Sequence, residues 1–326
     1  MAPKYISFSA WIYLTIALLT LVDAFVQAPI LIPLTSVLII IFVFIEFRLI
    51  PIAQKIAGSG LIILGILFAA ENNNWLDIII DGIARSRIFL LLFFAVSWLH
   101  YPASQSPALQ ATRTTIISKP PGQRYLYMAF GVHFIGSVLN LAGLSLFANL
   151  VKDHKNQILR TRFTMALING FGSASSWSPF FIGMIVVLIA IPSLTWRDIG
   201  PLGMIIALAI ISTSWAYDRL ILRSTNLFAE ANNQVPLSSQ NFWRMAGIIL
   251  SLISLVLLIV EFIGSSIPIT LGLIAPPFSL IWHSIISQRV TRFPYRNQSL
   301  TINVLASLPT LRNESIVFVA ANIFGV

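Results

Sequence analysis

The chain contains no cysteine, which excludes a disulfide framework, thiol catalysis and any cysteine-ligated metal centre. Charge is nearly as scarce. Only 10% of its 326 residues are Asp, Glu, Lys or Arg, against about 25% in soluble domains. A larger core cannot explain the shortfall, because a soluble surface would still need covering. The four histidines are scattered, with no carboxylates at metal-ligand spacing. No glycine-rich loop ends in Lys-Ser/Thr, which argues against ATP-driven pumping within this chain, and no Gly-x-Ser-x-Gly elbow is present. No cofactor and no metal are expected.

What fills the chain instead is apolar sequence, 57% of the residues, with a mean hydropathy of +0.88. Long runs separate the charges: 5–22, 24–45, 56–70, 88–112, 125–151, 163–196, 199–217, 245–260 and 262–288. About 20 apolar residues suffice to cross a bilayer. The expected fold is therefore all-α: a polytopic helical membrane protein with about eight or nine membrane segments. It reads as one transmembrane domain over residues 1–326, multi-pass in a cell inner membrane. The segment 11–22 leads almost directly into a second span, so it reads as a retained helix, not a cleaved leader.

The formal net charge of +9 does not point to nucleic acid. Most of the basic residues sit in short loops between apolar runs: Lys4; Arg48 and Lys55; Arg113, Lys119 and Arg124; Lys152, Lys155, Arg160 and Arg162; Arg219, Arg223 and Arg244; Arg289, Arg292 and Arg296. Cytoplasmic loops carry this bias. Counting crossings from those loops leaves one segment that must enter and return on the same side. The better candidate is 125–151, whose middle holds Gly136, Ser137, Asn140 and Gly143, suited to a turn within the membrane. The rival is 76–100, whose first half carries Asp77, Asp81, Arg85 and Arg87 and suits the interface.

Between Arg162 and Arg197 lie 34 residues without a formal charge. Their middle reads Gly172-Ser173-Ala174-Ser175-Ser176-Trp177-Ser178-Pro179, a poor helix interior. In lipid, unwound backbone is tolerated only where protein buries it or a wet cavity borders it. A broken helix in a multi-span protein thus points to a binding site. Helix ends at mid-membrane offer free N–H groups to anions and free carbonyls to cations. Ser and Asn add neutral donors and acceptors without burying a charge. The same residue types also serve tight helix packing.

Ionisable residues inside or beside the spans are Asp23, Asp81, Arg85, Arg87, His133, Glu261, His283, Arg312 and Glu314. Asp81 and Arg85 are four apart and can pair on one helical face. Asp23 and Glu261 lie near span ends and can reach water. His133 lies deeper and reads as a hydrogen-bonded packing residue or a proton relay. Residues 81–99 and 308–326 share a pattern, a polar start with arginine followed by an apolar run. That suggests a first repeat over 1–217 and a partial second one over 245–326, in a chain that reads as truncated.

At its two breaks the sequence resembles the ion transporter superfamily of bacterial secondary carriers, which includes dicarboxylate, citrate, arsenite and sodium/proton carriers. The resemblance covers roughly residues 76–191. It implies a re-entrant hairpin with its tip at Ser137-Val138-Leu139-Asn140, then a span unwound at 172–179. The Ser-Asn-Thr tip signature of that group is absent here. The resemblance further implies that Ser137, Asn140, Ser173, Ser175, Ser176 and Ser178 contact a coupling ion and a small anionic solute, with Trp177 walling the site. Asp81 and Arg85 would serve gating or solute pairing. The expected function is secondary transport of such a solute, driven by an ion or proton gradient. Its partners would be solute, coupling ion and the lipid bilayer, with no nucleic acid; a homo-oligomer is compatible with it. The alternatives are a membrane-embedded enzyme acting on lipid or polymer and a non-catalytic membrane subunit.

Overall fold

The computed structural model describes residues 6–70, 75–106, 121–152, 157–191, 193–222, 240–289 and 300–325. Lys4, Arg113, Lys119, Lys155, Arg223, Arg292 and Arg296 of the basic clusters lie outside them. The described residues form helices joined by turns, with no strand among them. In chain order the helices are α1 (Phe8–Val26), α2 (Leu31–Glu46), α3 (Ile52–Ala70), α4 (Trp75–Gln105), α5 (Pro121–Leu139), α6 (Leu141–Lys152), α7 (Gln157–Ala174), α8 (Ile182–Ala190), α9 (Trp196–Leu220), α10 (Gln240–Ile263), α11 (Ile267–Arg289), α12 (Leu300–Ser307) and α13 (Arg312–Phe324). Six helices among the described residues are long and apolar enough to cross a membrane: α1, α2 with the 3-10 turn after it, α3, α9, α10 and α11.

The apolar side chains point the wrong way for a protein in water. Phe44, Leu220 and Phe262 are 81%, 80% and 83% exposed. Helix α9 shows the pattern most plainly. Its inward positions are Gly200, Gly203, Ala207 and Ile211, while Leu202, Ile205, Ile206 and Leu208 face out. Small residues inside and large apolar ones outside are what packing in lipid requires, because burial of Leu against a neighbouring helix gains little over hydrocarbon.

The chain divides into two compact units, Met1–Tyr101 with Pro268–Val326, and Pro102–Ile267. In the first unit the second half of α4 is the core: Leu90, Leu91, Leu92, Ala95 and Leu99 are fully buried. The segment read as a rival for membrane re-entry is thus part of one continuous 31-residue helix. Tyr13 of α1 donates to the Leu90 carbonyl at 3.0 Å and meets Phe42 of α2 edge to face. Helix α13 lies against α3 and α4 through glycines. A Cβ on Gly82 would stand 2.5 Å from the Ile323 Cα, and one on Gly65 3.1 Å from the Phe324 Cα. Two ion pairs form among these helices, Asp23 with Arg87, and Glu46 with Arg312 at 2.9 Å. Pairing is the common fate of charge kept from water. Asp23 is accordingly buried by its partner and does not simply reach solvent.

Asp81 and Arg85 also belong to this unit. Both side chains are exposed and no ion pair joins them. It is Arg87, two residues on and turned inward, that finds a carboxylate.

A crossing of two broken helices

The second unit contains both breaks. Helix α5 ends at Leu139, and Asn140 takes a left-handed φ of 50°. Asn tolerates that region better than most residues. Its carbonyl accepts from the Gly143 and Leu144 amides, starting α6 at once. The chain folds back here. A Cβ on Gly143 would lie 3.0 Å from the Gly136 Cα, whereas residues seven apart in a straight helix are separated by about 10 Å. Gly143 cannot carry a side chain without driving the two arms apart, and a Cβ on Gly136 would meet the Phe171 ring of α7 at 2.9 Å. The turn expected within 125–151 is therefore present, centred on Asn140.

Helix α7 ends at Ala174, and helix resumes at Ile182. The serines explain how the helix can stop without abandoning its carbonyls. Ser173 Oγ donates to the Gly170 carbonyl at 2.9 Å, Ser175 Oγ to Gly172 at 2.6 Å and Ser176 Oγ to Ser173 at 2.8 Å. The backbone tightens in step, Ser175 N to the Gly172 carbonyl and Ser176 N to that of Ser173. Pro179 then removes a donor that a continuing helix would need.

The two breaks meet. Asn140 donates from Nδ2 to the Phe180 carbonyl at 2.9 Å and accepts the Ile182 amide on Oδ1 at 3.3 Å. One side chain thus spans the unwound segment and caps the first turn of α8, where amides lack helical partners. Ser178 Oγ donates to the Ser137 carbonyl, and the Phe180 amide donates to Ser178 Oγ. Ser137 turns its own hydroxyl to the Phe134 carbonyl at 2.7 Å. Helix α9 closes over the break through Gly203. A Cβ there would stand 1.9 Å from the Ser176 carbonyl oxygen, and Ser176 Oγ donates to the Gly203 carbonyl at 2.8 Å. Trp196 Nε1 donates to the Trp177 carbonyl at 2.6 Å.

His133 joins the same cluster. Indole is only a donor, so Trp177 Nε1, 3.0 Å from His133 Nε2, requires that nitrogen to accept. The proton of the neutral ring then sits on Nδ1, which lies 2.9 Å from Ser173 Oγ and 3.3 Å from the Gly170 carbonyl. Both ring nitrogens are used, and the ring ties α5 to α7 and to the break. Gly170 permits that contact, since a Cβ there would fall 2.3 Å from the Ala129 carbonyl oxygen.

Farther along α7, Arg162 makes a two-pronged pair with the buried Asp218 of α9, at 2.6 and 2.7 Å. Ser214 of α9 accepts from Asn169 at 2.6 Å and meets the Tyr125 hydroxyl. Of the sequence-derived site residues, then, Ser137, Asn140, Ser173, Ser175, Ser176, Trp177 and Ser178 all converge at one crossing. The sequence reading did not single out Tyr125, Asn169, Arg162–Asp218, Trp196 or Gly203. Partners 56 and 89 residues apart leave no local signature in a single sequence.

One face of the crossing is uncovered among the described residues. Gly172 before the break and Gly183 after it are exposed, with no atom within 4 Å of where a Cβ would be. Ser175 between them is half-buried. No family model matches the chain, and no curated protein or solved structure matches it.

Proposed function

We propose that this chain is a multi-pass membrane carrier for a small anionic solute, driven by an ion or proton gradient. In this reading 121–152 is a re-entrant hairpin, and the crossing of Asn140 with 175–181 is the solute site. The observation that carries the proposal is the meeting of the two breaks: one side chain, Asn140, holds the unwound segment and caps the helix that follows it. Broken helices whose half-helix starts face a polar ligand are how secondary carriers bind ions and anions at mid-membrane.

The geometry also divides labour. The hydroxyls of Ser173, Ser175, Ser176 and Ser178 are donated to carbonyls, so as donors they hold the shape of the break. The solute is met chiefly by backbone at the start of α8, approached over Gly172 and Gly183, with Ser175 beside it. Positive helix starts favour negative charge there. Arg162 and Asp218 tie α7 to α9 and leave the site itself without formal charge, which suits a site that must release its load.

The same internal satisfaction of the serines would serve a rigid, non-transporting membrane subunit. Uptake by reconstituted vesicles separates the two. Under an imposed sodium or proton gradient, a panel of labelled small carboxylates and inorganic oxyanions is offered to vesicles with and without the protein. The carrier reading expects at least one to accumulate, to leak out when the gradient is dissipated, and to be excluded by Gly183→Leu. Protein-free and protein-loaded vesicles that behave alike throughout the panel would remove it.

A further inference from the structure

In the first unit α4 and α11 run side by side in one direction. Two contacts fix their register. A Cβ on Gly272 would touch Leu91 Cδ1 at 2.8 Å, and the rings of Tyr101 and His283 lie 5.8 Å apart. The first contact is followed ten residues later on α4 and eleven residues later on α11 by the second, so the helices are parallel and level. Seven residues, two turns, return a helix to nearly the same face. Trp98 lies seven beyond Leu91, and Ser279 lies seven beyond Gly272. Both fall between the two contacts that fix the register, Trp98 one turn before Tyr101 and Ser279 one turn before His283, with the Pro276-Pro277 pair just ahead of Ser279.

Among the described residues, polar atoms on these two stretches have no partner. Trp98 Nε1, Ser279 Oγ and His283 Nδ1 are buried and unpaired, as is Trp282 Nε1 on the flank. Trp98 is 7% exposed, Trp282 6% and Ser279 0%. A buried donor without an acceptor costs about 1–3 kcal/mol, and four unpaired atoms fall on these two neighbouring stretches. Indole N–H can only donate, and a hydroxyl and a protonated ring nitrogen can do the same. Neither α11 nor the stretch 88–105 of α4 contains Asp or Glu, so a cation would find no anionic ligand.

We propose that this seam is a binding site for a small monovalent anion of halide size, held by the Trp98 N–H, the Ser279 hydroxyl and His283 Nδ1. Neutral donors suit such an ion: they bind it without a buried cation that would hold it permanently. The near-complete burial of Trp98 and Ser279 favours a single atom over a carboxylate or phosphate. The site is distinct from the crossing in the second unit and does not depend on what that crossing carries.

The test uses the full chain in maltoside micelles, labelled with ¹⁵N at the indole nitrogens, with gluconate as the only anion at the start. Chloride is then titrated, and in a parallel sample bromide. The Trp98 indole resonance, assigned by its loss in Trp98→Phe, is expected to move and saturate with either halide. Ser279→Ala should weaken that response about tenfold, the cost of one hydrogen bond to a charged partner; Ser279→Thr, which keeps the hydroxyl, should retain it. An indole resonance unmoved by either halide in the wild type would overturn the proposal even if a variant failed to fold. So would a halide response that Ser279→Ala leaves unchanged.

Discussion

Around residues 173–181 four serine hydroxyls close on backbone carbonyls, whereas on the α4–α11 seam an indole N–H, a hydroxyl and a ring nitrogen are buried with none. The first region looks like a site in the sequence, because clustered serines before a proline interrupt a long apolar run. The second does not, because its members are single residues spread over two helices. The difference teaches that a hydroxyl-rich stretch signals first a backbone problem. Where a helix stops in a medium without water, its carbonyls need donors, and serine supplies them locally. What remains for a ligand is read only after those internal bonds are subtracted.

That comparison can be broken from either side, and the largest effects belong to close packing and buried charge at the crossing. Asp218→Asn leaves Arg162 buried opposite a neutral amide. A loss of about 3–5 kcal/mol is expected, read as a large drop in melting temperature in detergent. Gly203→Ala forces a methyl into the Ser176 carbonyl and should cost toward the top of about 1–3 kcal/mol, again by thermal melting. A smaller effect would mean that α9 is not seated on the break as described.

Asn140 sharpens the comparison further, because it does two things that can be separated. Asn140→Ala loses the bonds to Phe180 and Ile182 and also places a poorly suited residue at φ 50°. Asn140→Gly loses the bonds alone. Alanine should therefore melt below glycine by an amount equivalent to about 1 kcal/mol, and both should melt below the wild type. Equal melting of Ala and Gly would show that the left-handed turn is not formed. At the small end, Glu261→Gln removes a pair with Arg197 whose partners are 46% and 68% exposed. Its cost should stay below about 1 kcal/mol, and a larger shift would show that this end of α9 is held far more tightly than its exposure indicates.

Much of this architecture was legible beforehand for a plain reason. Span positions follow from hydropathy and length, so the runs 56–70, 199–217 and 245–260 lie within α3, α9 and α10. Counting basic loops singled out 125–151, and the small and polar residues Gly136, Ser137, Asn140 and Gly143 in its middle pointed to a turn, which the chain makes at Asn140; re-entry itself belongs to the proposed function. The break at 175–181 followed from Ser and Pro placement. What stayed hidden was pairing. Nothing local announces that Arg162 meets Asp218, that Arg87 and not Arg85 finds an acid, or that His133 is bracketed by Ser173 and Trp177. Those contacts depend on which helices become neighbours. The serine hydroxyls were legible as polar groups but not in direction, since a sequence does not say whether they turn inward to a carbonyl or outward to a solute.

The absence of cysteine makes the most direct test a clean one, because single cysteines can be introduced without removing any. Gly172→Cys, Ser175→Cys and Gly183→Cys, in sealed vesicles, are each treated with a membrane-impermeant, water-soluble thiol reagent from one side and then the other, with Leu208→Cys as the lipid-facing control. The account predicts that the three positions at the break react from at least one aqueous side while Leu208→Cys stays unlabelled. Break positions as unreactive as the control from both sides would mean that no water reaches the crossing, and the solute site would be contradicted.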